Sequence, residues 1–523
     1  MRIGIDVGGT HTDSVLMDGE RVLTVNKSLT TSDVASGIRE SIEVLLQQSG
    51  VAQSAVEAIM IGTTQFTNAV VERKHLSEVA VIRVALPSGK GCAPMCDWPE
   101  DLSQMIGEHV YECHGGYLYD GHPVAAIDQT ELDAVVADIK AKGLSVVAIS
   151  SAFSTMNAQP ETLLWEKLKK AIPTIRGTLS HQIGSLGLLE RENAAILNAA
   201  LLPFADRVVD AFQSSLKAYG FQCPVFISQN DGTLMNAEFV RRFPALTFAS
   251  GPTNSLRGAS KLTGMEHAIV VDIGGTTSDI GVLQNGFPRQ SNVVVDVGGV
   301  RTNFRMPDIK ALGLGGGSYV STDGLQIGPQ SSGHNLVQEG LVFGGNRLTA
   351  TDIAVASGGA NVGDESNLEN VSQSTVKTAL QTMQNMLDES IEMMKPNADT
   401  VPVILVGGGA ILIQGDLSCA SQVLRPENAG VANAIGAAIA QVGGEAESLV
   451  SYAELGREQA IAIVREQAIA RAITAGADPS SIAVTEVEET DVPYMDGNMH
   501  KVRIRVIGEL AIFNTAKTTG EQE

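Results

Sequence analysis

IGIDVGGTHTDS, at residues 3–14, recurs in altered form as VVDIGGTTSDIG at residues 270–281. In both copies an apolar, β-branched run ends in an aspartate, Asp6 or Asp272, and two glycines follow shortly after it. Such a run is typical of a buried strand, and the glycines permit the positive φ angles of a tight β-hairpin turn. One copy would predict only a turn, but two copies half a chain apart predict two related half-domains.

Each turn carries groups that bind phosphate. Its glycines expose backbone N–H groups and the hydroxyls that follow add donors, so the loop can surround phosphate oxygens. A carboxylate beside a phosphate requires a cation between them, and we expect Asp6 and Asp272 to hold Mg²⁺ through its water shell. The alternative is a pair of ordinary hairpins, which the recurrence disfavours. The predicted phosphate-binding residues are Gly8, Gly9, Thr10 and Thr12 in the first turn and Gly274, Gly275, Thr276 and Thr277 in the second.

Two further glycine clusters matter. One directly follows the apolar run Val403–Val406, where a flat base or ribose can lie against bare backbone. The other spans residues 313–317 and can act near a phosphate. The alternative for both is a tight turn that closes a buried strand. The predicted nucleotide-binding residues of these clusters are Gly407, Gly408 and Gly409 in the first and Gly315 and Gly316 in the second.

Length and charge limit the class of protein. The 523 residues exceed what one core supports, and 44% hydrophobic with 18% charged residues indicates globular domains. A net charge of -23 argues against a general nucleic-acid or anionic-membrane binder, because phosphate backbones require basic surface. No apolar stretch is long enough to span a bilayer, no apolar leader opens the chain, and five cysteines fit a reducing compartment. We therefore expect a cytoplasmic protein.

Helix and strand patterns alternate along the chain and predict an α/β fold. The second half restarts at Ala268, where a new strand pattern begins. From about Ser451, a charged amphipathic helix is followed by two alternating strands, which predict a small α+β appendage. A long helix begins near Leu188, and we expect Pro203 to break or kink it.

The two turns and the strand-borne glycine triplet resemble the actin, sugar kinase and Hsp70 superfamily of ATPases. A string of longer motifs is more specific and resembles the hydantoinase/oxoprolinase family, A-type subunit. This resemblance covers most of the chain to about Gly443. Besides the second turn, its motifs are IGTTQFTNAVVERK (61–74), SHQIGSLGLLERENAAILNAAL (180–201), ISQNDGTLM (227–235), ASGPTNSLRGA (249–259) and ALGLGGGS (311–318).

The resemblance implies an α/β fold with two ribonuclease H-like domains around a nucleotide cleft, plus a small α+β C-terminal domain. The corresponding ranges are 1–190, 191–450 and 451–523. It also implies ATP-dependent opening of a cyclic amide, such as a hydantoin or 5-oxoproline, in which ATP phosphorylates the amide oxygen. ATP and Mg²⁺ are the expected cofactors, and a B-type or other partner subunit is expected to carry part of the chemistry. A small-molecule kinase and a nucleotide-dependent switch remain open as alternative functions. The oligomeric state also stays open, with a homo-oligomer as one possibility.

Within these motifs, a carboxylate is needed near the γ-phosphate to activate a nucleophile or manage its proton. The substrate itself stays open, because Lys310 stands where many relatives carry a histidine and Thr253-Asn254 interrupts an SGPAGG-like stretch. His181 falls in a family motif and is left as either a structural or a catalytic residue. The candidate catalytic residues are Asp6, Asp272, Asp13 and Asp279, and the candidate substrate residues are Thr63, Thr64, Asn68 and Arg191. The alternative role for Thr63, Thr64 and Asn68 is helix capping.

One loop-rich segment contains Cys92, Cys96, His109, Cys113 and His114. Soft ligands at such spacing can bind zinc, but the segment lacks a second clean pair of ligands. Incidental or buried thiols are the favoured interpretation, and whether the segment binds a metal stays open.

Overall fold

The structure is a computed structural model that describes residues 1–9, 11–30, 34–291, 295–304, 306–493, 495 and 497–511. Thr10, one of the predicted phosphate ligands, lies outside these described residues. In the described part of the chain, no helix is long and apolar enough to cross a membrane.

Strands occur along the whole described chain. Up to residue 240 they are β1 (Arg2–Val7), β2 (His11–Asp18), β3 (Arg21–Leu29), β4 (Ala58–Thr63), β5 (Ala80–Leu86), β6 (Val110–His114), β7 (Val146–Ser151), β8 (Arg176–Leu179), β9 (Val225–Ser228) and β10 (Leu234–Asn236). The later strands are β11 (Ala268–Ile273), β12 (Ser278–Gln284), β13 (Phe287–Pro288), β14 (Val295–Val297), β15 (Val300–Thr302), β16 (Ile309–Leu312), β17 (Ser318–Val320), β18 (Ile327–Ser331), β19 (Val401–Val406), β20 (Ala420–Leu424), β21 (Val442–Ser451), β22 (Ala483–Asp491) and β23 (Met499–Gly508).

Helices alternate with these strands. They are α1 (Val34–Ser49), α2 (Gln65–Val71), α3 (Glu100–Ile106), α4 (Gln129–Ala141), α5 (Gln159–Ala171), α6 (Leu188–Ala218), α7 (Ala237–Arg242), α8 (Ser250–Thr263), α9 (Leu336–Glu339), α10 (Ala350–Ala356), α11 (Gln373–Met394), α12 (Ala432–Ile439), α13 (Tyr452–Leu455) and α14 (Arg457–Ala475). Pro203 lies inside α6, which continues through it, so the predicted break is wrong.

The two large sheets share one arrangement of strands. In the first, β3, β2 and β1 are antiparallel neighbours, and β4 and β9 continue the sheet in parallel with β1. In the second, β16, β12 and β11 are antiparallel neighbours, and β19 and β20 continue in parallel with β11. The predicted mixed α/β fold is confirmed, and the repeated sequence motif opens the same place in both sheets.

A third sheet, of order β6-β5-β7-β8, is parallel throughout and has its own core. It is formed entirely from residues between β4 and β9 of the first sheet.

The C-terminal strands extend the first sheet instead of forming a separate appendage. β21 joins β10 through the parallel pair Leu234 and Val442, and β23 and β22 follow in antiparallel order. Helix α14 approaches β21 closely because Gly444 has no side chain: a Cβ there would overlap the carbonyl oxygen of Ala468. The predicted domain boundaries do not separate the sheets, since 190/191 falls inside α6 and 450/451 falls inside β21.

Helices α8 and α12 cross in backbone contact between the two large sheets. A Cβ on Gly258 of α8 would overlap the carbonyl oxygen of Ala432, and one on Gly436 of α12 would overlap the carbonyl oxygen of Asn254. Glycine is therefore required at this crossing. The crossing fixes the polar side chains of both helices relative to the two hairpin turns.

Candidate functional site

Each hairpin turn presents a pair of carboxylates. Asp6 lies on β1 directly opposite Asp13 on β2, and Asp272 on β11 lies opposite Asp279 on β12. Directly opposite residues of an antiparallel pair have Cβ atoms about 5 Å apart, so each pair is held at close range. The four predicted catalytic aspartates thus form two equivalent pairs.

Two glycines leave room for the leading carboxylates. A Cβ on Gly62, at the end of β4, would overlap Oδ1 of Asp6, and a Cβ on Gly407, just after β19, would overlap Oδ1 of Asp272. Gly407 also has a φ of +82°, which side-chain-bearing residues rarely adopt. The predicted glycine triplet therefore lies against the carboxylate of Asp272.

The crossing helices hold these carboxylates in place. Asn254 of α8 donates from Nδ2 to Oδ1 of Asp6 at 3.3 Å. The next residue, Ser255, donates its hydroxyl to Oδ2 of Asp272. Asn433 of α12 donates from Nδ2 to Asp6 at 3.1 Å and to Asp13 at 2.9 Å. Asn254 and Ser255, which are consecutive residues of α8, thus contact the two turns and link them.

The carboxylates repel one another in a poorly solvated place. Burial, with the charges of Asp13 and Asp272, raises the pKa of Asp6 to about 6, although the amides of Asn254 and Asn433 lower it. Burial also raises the pKa of Asp272. Burial and then the charge of Asp272 raise the pKa of Asp279 to about 7. A cation is needed to keep such a cluster ionised at neutral pH.

Lys27 supplies one such cation. Its Nζ donates to Oδ1 of Asp13 at 2.6 Å and to the carbonyl oxygen of Gly430 at 3.2 Å. A Cβ placed on Gly408 would lie 3.7 Å from Cε of Lys27. The lysine therefore reaches from the first turn to the glycine triplet. It was not identified from the sequence, although the β2–β3 hairpin places it directly opposite Asp13.

The donor set fits an ion that keeps its water shell. In the described part of the chain, no three or more His, Cys, Asp or Glu side chains are close enough together to hold a metal directly. Asp6 and Asp272 belong to separate turns, and their raised pKa values show that nearby positive charge is favourable. Mg²⁺ commonly binds through one or two carboxylates plus water and phosphate, which suits this arrangement.

The cysteine segment contributes no such group among the described residues. Cys92 and Cys96 are exposed, whereas Cys113 is buried in the core of the third sheet.

The two turns close in the same way. The amide of Gly8 donates to the carbonyl oxygen of His11 at 3.0 Å, and that of Gly274 donates to Thr277 at 2.9 Å. Gly9, Thr276 and Thr277 are exposed, and Gly275 is partly exposed. The side chain of Thr12 is buried, and its Oγ1 lies 3.2 Å from Oγ1 of Thr30. Its contact with phosphate stays a prediction.

The cluster at residues 313–317 lies beneath the second turn. Gly316 donates its amide to the carbonyl oxygen of Gly274 at 3.0 Å, and Gly317 donates to Gly275 at 2.7 Å. Gly315 is buried, and a Cβ there would lie 2.5 Å from the amide nitrogen of Thr276. Gly315 and Gly316 therefore pack against the backbone of the second turn, and their contact with a nucleotide stays a prediction.

The residues predicted to bind substrate separate into two places. Thr63 and Thr64 end β4 beside the first turn, where Thr64 donates to the carbonyl oxygen of Val7 at 3.4 Å and accepts from Asn68. Thr63 is buried and accepts from the amide of Gln65 at 3.3 Å. Asn68 is exposed. Their contact with substrate stays a prediction.

Arg191 lies elsewhere, at the start of α6, and is 1% exposed. Its guanidinium donates to Ser180 Oγ at 3.0 Å and to the carbonyl oxygens of Ser151, Ser185 and Gly187. These bonds hold the loop before α6, so the geometry favours a positioning role for Arg191.

Two like-ordered sheets, each opening on an aspartate–glycine hairpin and joined by crossing helices, define a mixed α/β protein with a duplicated half-site. Family models agree with this description. The hydantoinase/oxoprolinase N-terminal region matches residues 2–172, and the hydantoinase/oxoprolinase model matches residues 191–361. The chain belongs to the hydantoinase/oxoprolinase family.

Relatives of known name are distant in sequence. The caprolactamase subunit alpha of Pseudomonas jessenii is 25% identical over 386 residues, which cover 68% of this chain and 54% of the relative. The acetophenone carboxylase gamma subunit of Aromatoleum aromaticum is 25% identical over 400 residues, which cover 69% of this chain and 53% of the relative. The chain spans about half the length of these two relatives.

Two solved structures share the fold. The ATP-dependent caprolactamase from Pseudomonas jessenii superposes with a TM-score of 0.79 at 19% identity, covering 98% of this chain and 88% of that one. Nucleotide-free acetone carboxylase superposes with a TM-score of 0.68 at 17% identity, covering 98% and 88%. At these identities the two superpositions establish the fold alone.

Proposed function

We propose that this chain uses ATP to open the ring of a cyclic amide, such as a hydantoin, 5-oxoproline or a lactam. ATP phosphorylates the amide oxygen, which makes it a leaving group for hydrolysis. The observation that carries the proposal is the pairing of Asp6 and Asp272 through Asn254 and Ser255 of one helix. Family membership and relatives named for caprolactam hydrolysis support the choice of substrate class.

In this proposal the two large sheets are ribonuclease H-like domains, and the nucleotide lies in the cleft between them. The phosphates contact the backbone amides of the two turns, and adenosine lies on the glycine triplet at residues 407–409. The shared strand order and the equivalent register of the two carboxylate pairs support this arrangement. Closure of such a cleft excludes water and aligns the γ-phosphate.

Asp6 and Asp272 hold Mg²⁺ in this proposal, as their donor chemistry suits. When bound, the ion supplies neutralisation of the phosphate charge that develops during transfer. Asn254 and Asn433 keep the carboxylate of Asp6 oriented, and Lys27 places a fixed positive charge beside the first turn.

Asp279 is the better candidate for proton transfer within the four aspartates. Burial raises its pKa to about 7, so both protonation states are present at neutral pH, as a general acid or base requires. Asp13, in contrast, is engaged by Lys27 and Asn433. Its proposed role is to hold these two side chains in place.

A partner subunit is part of the proposal. The named relatives are themselves subunits: caprolactamase subunit alpha, acetophenone carboxylase gamma subunit and acetone carboxylase beta subunit. A separate chain that completes the hydrolysis is therefore expected, and its absence would lower turnover without preventing nucleotide binding.

The test is phosphate release from Mg-ATP by the purified chain in the presence of hydantoin, 5-oxoproline or caprolactam. We expect at least one of these compounds to stimulate release and to be recovered with its ring opened. Asp272→Asn should abolish the stimulation. Asp133→Asn is the matched control, because Asp133 is an exposed partner of Lys167 in the third sheet's layer. Release that no cyclic amide stimulates, even with the partner subunit added, would contradict the proposal.

A further inference from the structure

A cavity of about 350 Å³ lies at the carboxyl end of β9. The loop before α6, the end of β9, β21 and α14 form its walls, and none of the four aspartates is among its lining residues within the described chain. Its volume falls in the range of small-molecule sites, roughly 300–1,000 Å³. The residues that matter below are His181, Asn230, Asn303 and Ala470.

The cavity lies on the same edge of the first sheet as the first turn. β1, β4 and β9 are parallel neighbours, and their carboxyl ends carry Asp6, Thr63 and Ser228. Strands are spaced by about 4.8 Å, so β1 and β9 are about 10 Å apart. Helix α8 connects the two places: Thr253 donates to the carbonyl oxygen of Asn230 at 3.1 Å, and Asn254 donates to Asp6.

A histidine on the wall is oriented by a buried carboxylate. Nδ1 of His181 lies 2.6 Å from Oε2 of Glu161, which is fully buried. His181 lines the cavity, and because Glu161 engages Nδ1, Nε2 is the ring nitrogen left to contact a ligand. Glu161 also accepts from Ser180 at 2.6 Å and from the amide of Ser151 at 3.0 Å. The imidazole is thus held in one orientation, as in carboxylate–histidine catalytic pairs.

Two side-chain amides on the wall have unsatisfied atoms. Asn230 is only 4% exposed, and its Nδ2 has no hydrogen-bond partner in the described part of the chain. Oδ1 of the half-buried Asn303 also has no hydrogen-bond partner in that part of the chain, whereas its Nδ2 donates to the carbonyl oxygens of Ser185 and Leu186. Buried polar groups normally have partners, so such a pair indicates a ligand with one acceptor and one donor. A cyclic amide has that pair, in its C=O and N–H groups.

Two of the carboxylates at the cavity are paired with arginines. Asp231 forms an ion pair with Arg505 at 3.1 Å, and Glu445 forms one with Arg503 at 2.8 Å. Paired carboxylates do not repel an anionic group on a ligand, and Arg242 and Arg471 also line the cavity. The lining therefore suits a polar ring, either uncharged or carrying a carboxylate.

We propose that this cavity binds the cyclic amide, with Asn230 and Asn303 contacting the amide group and His181 accepting its proton; the inference rests on the proposed function. As the amide oxygen attacks the γ-phosphate, an O–P bond forms and the bond from phosphorus to the β–γ bridging oxygen breaks. The N–H electron pair forms the ring C=N bond, and the N–H proton passes to Nε2 of His181. The products are ADP and an O-phosphorylated imidate, whose ring nitrogen is uncharged and whose phosphoryl group keeps its negative charges.

Binding tests the location without requiring turnover. Saturation-transfer NMR with hydantoin, 5-oxoproline and caprolactam should show binding of at least one compound to the wild-type chain. Ala470→Trp fills the cavity from an exposed position of α14 and should reduce that binding at least tenfold. Glu466→Trp, one turn earlier on the same helix and outside the cavity lining, should leave it unchanged. Absence of binding to the wild type, or equal binding to Ala470→Trp, would overturn the proposal.

Kinetics test the two roles. His181→Gln can keep the bond to Glu161 but removes the base, so kcat should fall about 10²–10⁴-fold with KM nearly unchanged. Asn230→Ala should raise KM instead, since it contacts the substrate before and during transfer. ATP affinity should stay at the wild-type value in both variants, which shows that they fold. Wild-type kcat in His181→Gln, in a chain that does turn over a cyclic amide, would overturn the catalytic role.

Failure of the proposed function would look different. A cyclic amide that binds in the cavity but does not stimulate phosphate release would contradict ATP-dependent ring opening while keeping the location of the binding site. Phosphate release that a cyclic amide stimulates, with unaltered kinetics in His181→Gln and Asn230→Ala, would support ATP-dependent ring opening and contradict the location of the binding site.

Discussion

The two hairpin turns share a backbone but differ in charge. In the first sheet, β3 places Lys27 opposite Asp13, and the lysine bonds to it. In the second sheet, β16 places Ala311 opposite Asp279 at the same register position. In the first pair the charge of Asp13 is paired with a fixed cation, whereas in the second pair burial and the charge of Asp272 raise the pKa of Asp279 to about 7. A duplicated fold can therefore carry two electrostatically different half-sites.

The two half-sites also differ in the side-chain donors that the crossing helices offer to their leading aspartates. Asp6 accepts from two side-chain amides, those of Asn254 and Asn433, whereas Asp272 accepts from the single hydroxyl of Ser255. The first half-site is thus held by more fixed donors, which favours a role in positioning. The second keeps in Asp279 a carboxyl that has Ala311 instead of a lysine opposite it and a pKa raised to about 7, which favours a role in proton transfer.

The largest effect should come from the glycines that make room for the aspartates. Gly407→Ala and Gly62→Ala each force a Cβ onto a carboxylate, and we expect ATP-dependent turnover to fall about 10²-fold in both. Gly407→Ala should be the more harmful, because its φ of +82° adds about 1 kcal/mol of strain. Gly344→Ala is the control, with a φ of +87° and open space. Equal turnover in Gly407→Ala and Gly344→Ala would show that the position of Asp272 does not matter for the reaction.

Removing the cation should destabilise the first half-site. Lys27→Met leaves the buried Asp13 without its ion pair, and we expect a loss of about 1–3 kcal/mol in unfolding free energy, measured by urea denaturation at pH 7.5. The lysine is partly exposed, which keeps the loss below that of a fully buried pair. A second change, Asp13→Asn, should recover most of it. Lys167→Met removes an exposed pair and should cost under about 1 kcal/mol.

In the second half-site, replacing the carboxyl of Asp279 should stabilise the protein, whereas replacing Lys27 destabilises the first half-site. Asp279 has a raised pKa, so the folded protein holds its proton between about pH 4 and pH 7, where the unfolded chain has released it. This carboxyl therefore makes the wild type lose stability as the pH rises through that interval; Asp279→Asn lacks this contribution and keeps only the one from Asp6 and Asp272. The variant should gain on the order of 1 kcal/mol at pH 8, discounted for partial exposure, and nothing at pH 4.

Thermal unfolding at several pH values measures this difference. Asp399→Asn, at an exposed position far along the chain, should show no such trend. A constant difference between Asp279→Asn and the wild type from pH 4 to pH 8 would show that Asp279 does not titrate in this interval.

The smallest effect tests whether the register alone explains the contrast. Ala311→Lys places a lysine opposite Asp279, as Lys27 stands opposite Asp13. We expect the pKa of Asp279 to fall by about one unit, and the loss of stability between pH 4 and pH 7 to shrink accordingly. Ala311→Gln has a similar length without charge and should leave the pH dependence as in the wild type. The same pH dependence in both variants would locate the difference outside the β12–β16 pairing.

The turns themselves could be predicted from the sequence because their signals are local. An apolar run, an aspartate and two glycines within ten residues fix both the hairpin and the direction of its carboxylate, at Asp6 and at Asp272. The glycine triplet at residues 407–409 follows its strand for the same reason. Family motifs added the proposed substrate class.

What could not be predicted depends on contacts distant in the chain. Asn254 and Asn433 reach Asp6 from 248 and 427 residues away, and no local pattern marks them as ligands of that carboxylate. The C-terminal strands join the first sheet through a single residue pair, Leu234 and Val442, which a local pattern cannot reveal. The contact between the hydroxyls of Thr12 and Thr30 was not predicted either, because Thr30 lies outside the motif that contains Thr12.

The central claim is that one nucleotide requires both half-sites. Calorimetric titration of Mg-ATP into the wild type, Asp6→Asn, Asp272→Asn and the control Asp133→Asn tests it most directly, because it requires neither the amide substrate nor a partner subunit. We predict that each of the two site variants loses at least about tenfold in affinity, or more than 1.4 kcal/mol, while Asp133→Asn binds as the wild type does. Wild-type affinity in either Asp6→Asn or Asp272→Asn would contradict a site shared between the two turns.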